Sequence, residues 1–314
     1  MRKFLTRLFI FTCIVFALAW ALDYTICKGL LRMEDYRFQD CKAMLDGSAK
    51  CDVLIMGNSR GKSHFDTKII DSLCNVNSFC IGIGGYPIDA QLVKYHLFRE
   101  HNGKPKTIIQ NIDYITIKLI KDVRHQHQSE QFFPLIYDQD MRKLLKEIGY
   151  GPLELNIPLY RMFGYQMVIK NGILEALGIK HYISMPAYKG HRPEDGVWNG
   201  AALESMERQQ IMLDEDAKRI FEQYLEQCQK DSIDVILVNS PWYSEAIKKL
   251  DGFYDATKYF EDISIKYEIP YLDYTNSCHI SHSKDNFCVS VHMNAKATKE
   301  FTTLLCKDIS PLLQ

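Results

Sequence analysis

The sequence predicts a three-layer α/β/α fold with a central five-stranded parallel sheet and a helical insertion. Short apolar runs at Val53–Met56, Asn77–Ile83, Thr107–Ile112, Asp234–Val238 and Tyr271–Tyr274 have the length of buried strands. Helix-like stretches at Asp89–Glu100, Asp214–Lys230 and Tyr254–Tyr267 separate several of them. Strand and helix alternating in this way imply a parallel sheet covered on both faces. A chain of 314 residues is long enough to bury one large core and carry an elaboration.

The N-terminus comes first. Arg2, Lys3 and Arg7 precede an apolar stretch from Leu8 to Leu22, closed by Asp23. Phe4, Leu5 and Tyr24–Ile26 extend it to about 20 residues, enough to span a bilayer. Basic residues ahead of the run place the start inside and the rest outside. Residues 1–27 therefore read as a membrane anchor or signal segment, with the uncleaved anchor preferred. Ala19-Trp20-Ala21 leaves a cleaved signal peptide open, and a buried helix is the third reading. Residues 28–50 read as a stalk helix and 51–314 as the α/β domain. That domain is expected on the periplasmic or extracellular side.

The first strand stops on Gly57-Asn58-Ser59. It reads as a strand turning sharply into a helix, with Ser59 at the carboxyl edge of the sheet beside helix-start amides. Gly82-Ile83-Gly84-Gly85 follows the second strand, where glycine allows close backbone approach to a ligand. Gln110-Asn111-Ile112-Asp113 ends the third strand. About 120 residues then intervene before the fourth strand, too many for a simple crossover. They read as a mostly helical insertion at about 115–215, lying over the carboxyl edge of the sheet and including the polar segment Lys189–Gly200. The last helix is expected at Asn294–Cys306, with His292 just ahead of it.

In a doubly wound sheet these turns converge on one edge. A serine is a weak nucleophile unless a base reaches it, and His292 is the natural base. Two backbone amides and an asparagine side chain would supply an oxyanion hole. The missing part is an acid: Val289 stands three residues before His292. Plainer readings stand beside these. Ser59 is also a suitable helix cap, and the glycines suit a tight turn. Arg60 and His64 read as a solvated helix face rather than an anion site.

Several chemistries are disfavoured. The charge is nearly balanced, 38 basic against 39 acidic residues, which argues against nucleic acid as a partner. Gly57-Asn58-Ser59-Arg60-Gly61-Lys62-Ser63 resembles a phosphate loop, but three residues separate its glycines where four are needed. Gly82-x-Gly84 fails as a dinucleotide fingerprint because Pro87 occupies the third glycine position. His125-Gln126-His127 has weak metal-ligand spacing, and His279 and His282 read as a polar loop near Cys278. No metal or organic cofactor is expected. Among ten cysteines, Cys41–Cys51 and Cys278–Cys288 are candidate local pairs in the exported part, and both pairing and free thiols remain open.

These blocks resemble those of the SGNH (GDSL-type) hydrolase family. Gly57-Asn58-Ser59 resembles its first block, with Ser59 in the nucleophile position, and Ile81–Gly85 its second, with Gly85 as oxyanion glycine and Gly84 beside it. Val289-Ser290-Val291-His292 resembles the last block, where the family shows Asp-x-x-His. The asparagine block is matched only by Asn111, with Asp113 or Tyr114 as alternatives for that position. The resemblance implies a flavodoxin-like sheet and a Ser59–His292 acyl-enzyme mechanism, with Gly85 and Asn111 holding the oxyanion. With Val289 in the acid's place, a backbone carbonyl or Asp285 would have to orient His292. The resemblance also implies an esterase or O-acyltransferase on acyl esters of envelope glycans, often beside a membrane-bound O-acyltransferase. The rival expectation is a weak or inactive member serving as a glycan-binding or assembly partner.

Overall fold

The computed structural model describes residues 1–118, 126, 128–184, 187–200, 203, 207–276 and 279–313. The chain forms two compact units. One joins Met1–Lys42 to Lys121–Pro186, and the other joins Ala43–Ile120 to Ala187–Gln314. His125, His127 and Cys278 lie outside the described residues.

The second unit is a three-layer α/β/α fold. Its strands are β1 (Val53–Met56), β2 (Ser78–Cys80), β3 (Thr107–Asn111), β4 (Asp234–Asn239) and β5 (Tyr271–Asp273). They lie in the order β2-β1-β3-β4-β5, and every neighbouring pair is parallel. The winding reverses between β1 and β3. The carboxyl ends of those two strands therefore border the crevice where such sheets hold ligands.

Side-chain alternation divides the strand residues between two faces. Val53, Ile55, Ile109, Ile236 and Val238 share a buried core with Ile70, Phe301 and Leu305. Those last three come from helices Thr67–Cys74 and Ala295–Ile309, which cover that face. Helices Ile88–Asn102, Glu215–Lys230 and Phe253–Tyr267 form the other layer. There Tyr95 meets Tyr224 edge-on at 5.7 Å, Phe221 meets Phe260 at 5.6 Å, and the Tyr224 hydroxyl reaches Met56 Sδ at 3.7 Å. The final helix begins at Ala295 because Asn294 caps it, its Oδ1 accepting the Ala297 N–H at 3.1 Å.

The first unit is built on helix Arg2–Leu30, which is long and apolar enough to cross a membrane. Its residues up to Leu22 are exposed or half-buried. From Asp23 the helix enters a core of Ile26, Cys27 and Leu30 with Phe133 and Met162. Helix Gln166–Ala176 lies so close to it that a Cβ on Gly29 would stand 1.8 Å from the Gly172 carbonyl oxygen. The stretch expected as a stalk is thus packed and interrupted: the helix ends at Leu30, Glu34–Asp35 pair in parallel with Ile183–Ser184, and a new helix runs Tyr36–Leu45. Its partners lie far off in the sequence, Glu130 being 93 positions from Arg37 and Ile183 149 positions from Glu34, out of reach of any local pattern.

A buried ion pair fixes this unit. Asp23 accepts two 2.7 Å bonds from the Arg161 guanidinium, one from the Tyr137 hydroxyl at 2.6 Å and one from the Leu159 amide at 2.6 Å. Both charged side chains are almost wholly buried. Removing one partner leaves the other charge without compensation, which costs about 3–5 kcal/mol. Asp23→Ala and Arg161→Ala should each lower stability by that amount in detergent unfolding, and the double variant by less than their sum.

Candidate active site

Three loop ends and one hairpin meet at the carboxyl edge of the sheet. After β1 the chain passes Gly57, whose φ of +140° suits glycine. A Cβ there would also stand 2.9 Å from Asn111 Cβ. Asn58 then caps helix Ser59–Ser63, its Oδ1 accepting the Arg60 N–H at 3.0 Å. Asn58, not Ser59, is therefore the cap, and the Ser59 hydroxyl is released from that duty. It lies 2.8 Å from His292 Nε2.

The glycine turn stands beside this one. Ile81 N–H bonds the Ile55 carbonyl and Ile83 N–H bonds the Gly57 carbonyl, both at 2.9 Å. This continues the β1–β2 register and carries Gly84 and Gly85 alongside the Asn58–Ser59 turn. Gly82 is forced by packing, since a Cβ would sit 2.6 Å from the Lys62 amide nitrogen. Gly85 has φ +77° and is exposed. Among the described residues the amides of Ser59, Gly84 and Gly85 have no protein acceptor. They are donors available to a ligand.

His292 is placed by a second histidine. His292 and Met293 form one strand of a short antiparallel hairpin with Phe287–Val289. The Met293 N–H donates to His64 Nε2 at 3.0 Å. His64 therefore carries its proton on Nδ1 and gives it to Ser240 Oγ at 2.9 Å. Ser240 in turn donates to Asn111 Oδ1 at 2.9 Å. This chain ties the ends of β3 and β4, the Ser59 helix and the His292 hairpin together. His64 is wholly buried, and desolvation with the nearby Arg60 charge holds it neutral, well below the ordinary histidine range.

Arg60 completes the floor. It is buried with Nη1 3.3 Å from Asp113, Nη2 on the Ser240 carbonyl, and its guanidinium 4.1 Å from the Trp242 ring centroid. Asp113 also accepts from Asn58 Nδ2 at 2.7 Å. Reading Arg60 and His64 as a solvated helix face is thus corrected: both point inward because Asp113 and Ser240 supply partners there. The end of the long insertion frames the same site. The Lys189 carbonyl accepts the Cys80 amide at 2.9 Å, the Arg192 N–H donates to the Lys62 carbonyl at 3.1 Å, and the Glu194 carbonyl accepts the Ala295 amide at 2.7 Å.

Two expectations about supporting residues are corrected. Asn111 is fully buried as the last residue of β3, with Oδ1 taken by Ser240 and Nδ2 closed off without a partner. It serves the buried chain rather than an open oxyanion site. Asp285 offers His292 no carboxylate contact among the described residues; its carbonyl accepts from Asn294 Nδ2 at 2.7 Å. Val289 is the cross-strand partner of His292, so the position that could reach the ring holds no acceptor. Cys41, Cys51 and Cys288 take part in no disulfide among the described residues, and His279 is engaged by Glu300.

The electrostatics follow. Desolvation, then the Arg60 and Arg192 charges, push His292 down to about 4. At neutral pH it is an uncharged base, but its protonated form faces the Arg60 and Arg192 charges, and among the described residues no carboxylate touches it. No family model matches the sequence, and no curated protein matches it. A similar solved structure is a Bacteroides fragilis protein provisionally assigned as an acylhydrolase. It is 14% identical with a TM-score of 0.39, over 83% of this chain and 88% of that one. So distant a likeness carries no weight for the site.

Both neutral histidines make stability depend on pH. Unfolded histidine titrates near 6.5. Between that value and the depressed folded ones, the unfolded chain binds protons that the folded chain refuses, so stability falls as pH falls. The urea midpoint should be lower at pH 5 than at pH 7.5, and His64→Gln should narrow that difference.

Proposed function

We propose that this chain is a serine ester hydrolase or O-acyltransferase working through an acyl-enzyme. The observation that carries the reading is the 2.8 Å approach of His292 Nε2 to Ser59 Oγ beside the unpaired Ser59 and Gly85 amides. Ser59 attacks the ester carbonyl while His292 takes its proton. The two amides receive the developing oxyanion. His292 then passes the proton to the leaving alcohol. Water releases the acyl group in a hydrolase, and a sugar hydroxyl takes it in a transferase.

The Gly57-Asn58-Ser59 and His292 blocks and the apolar N-terminal helix support placing this chemistry on a membrane-anchored SGNH-type protein. Its site faces outward, and its substrates are acyl esters of envelope glycans. A membrane-bound O-acyltransferase is the partner that would supply or share such acyl groups. No step requires a metal or organic cofactor.

The missing acid sets the expected rate. In a serine triad the acid holds the imidazole tautomer and stabilises its charged form, and its loss costs about 10⁴ in turnover. Here the Met293–His64 bond fixes the backbone next to His292, but among the described residues nothing anionic touches the imidazole. The same absence favours a second reading, a glycan-binding or assembly protein that keeps the fold. The two separate on purified full-length protein with p-nitrophenyl acetate. The enzyme reading expects slow turnover that Ser59→Ala and His292→Ala each reduce to background. It also expects Val289→Asp to raise turnover at least tenfold. Turnover unchanged in Ser59→Ala would leave the binding reading.

A further inference from the structure

The first unit presents an apolar face at the point where its long helix would leave a bilayer. Helix Gln166–Ala176 runs beside helix Arg2–Leu30 in the same direction. Gly172 packs against Ile26 and Gly29, and Arg32 reaches the Ala176 carbonyl at 3.2 Å. At about 1.5 Å rise per residue, this offset brings Gln166 level with Leu22, the last residue of the apolar run. The Leu159 amide and Arg161 guanidinium, both bound to Asp23, fix the preceding loop at the same height. Around this level Tyr160 is 46%, Phe163 90% and Met167 64% exposed.

Two further features belong to this level. Tyr137 packs edge-on against Trp20 at 6.1 Å and Tyr24 at 5.2 Å, a cluster of the kind found at membrane–water interfaces. A cavity of about 610 Å³ is lined by Phe133, Tyr160, Phe163 and Tyr165 among others. Its buried cation, Arg161, is spent on Asp23, Cys27 and the Phe133 carbonyl, so the lining offers an anion no free charge there.

We propose that the Tyr160–Met167 face of the first unit rests in the lipid interface of the bilayer that its own helix spans. Phe163 and Met167 enter the boundary between headgroups and acyl chains. A span of about 20 apolar residues matches the hydrocarbon thickness, so the end of the run at Leu22 marks that boundary. The contact holds the unit against the membrane as well as tethering it. It rests on the anchor reading above and is independent of the chemistry at Ser59.

The test uses full-length Phe163→Trp in phosphatidylcholine vesicles with or without acyl chains brominated near the headgroup. The parent, with Trp20, Trp198 and Trp242, supplies the background. Emission added by the new tryptophan should be blue-shifted and quenched at least twofold by the brominated lipid, and Met167→Trp should behave alike. Added emission at the wavelength of a water-exposed tryptophan, unquenched in protein that resists carbonate extraction, would overturn the contact while leaving the anchor standing. Protein released by carbonate would overturn both.

Discussion

His64 accepts the Met293 amide on one ring nitrogen and gives the proton on the other to Ser240. That pair of bonds, with the Ser240–Asn111 bond beyond it, joins the Ser59 helix, the ends of two sheet strands and the His292 hairpin. It works only while the ring is neutral, because a protonated Nε2 has no lone pair for the Met293 N–H. Burial enforces this state: an imidazolium beside Arg60, with no carboxylate in contact among the described residues, is a costly charge to hide. The position of His292 over Ser59 is thus inherited from the protonation state of a different residue.

The Arg60 cation that helps keep His64 neutral also shapes the chemistry next door, together with Arg192. Arg60 is anchored by Asp113 and the Ser240 carbonyl, and Arg192 enters from the end of the insertion. Both lower the basicity of His292. A familiar triad places an anion behind its histidine; this site places cations near it and a valine across from it. The base is always available at neutral pH, yet weak. An ester with a good leaving group, or an acceptor alcohol held in place, suits such a base better than an unactivated bond.

Much of the α/β unit was legible in the sequence. Val53–Met56 matches its predicted bounds because the run is purely apolar and ends on Gly57-Asn58. The β2 run was read too long, because Ile81–Ile83 continues the strand's hydrogen bonding but turns away toward Gly84. Ser59 and His292 stood out as a pair because a serine after the first strand and a histidine before the final helix meet at one edge of a doubly wound sheet. Asn111 was legible as the end of β3 but not in its orientation, which depends on Ser240, 129 positions away. Arg60 and His64 looked solvent-facing because polar residues in a short helix usually are. A small signal did exist: Asp113 and Ser240, at the ends of neighbouring strands, are polar groups that a buried cation and imidazole would need. The union of Met1–Lys42 with Lys121–Pro186 had no local signature beyond the aspartate that closes the apolar run.

The most direct test is the pH dependence of covalent labelling of Ser59 by a fluorophosphonate, followed by peptide mapping on the full chain. The reaction needs the serine hydroxyl activated by neutral His292, and no substrate need be known. Ser59 should be labelled at a rate unchanged between pH 8 and about 5.5, since His292 stays unprotonated until about 4. A rate that halves near 6.5, as for an ordinary histidine, would contradict the electrostatics. Absence of any label on Ser59 would contradict the nucleophile itself.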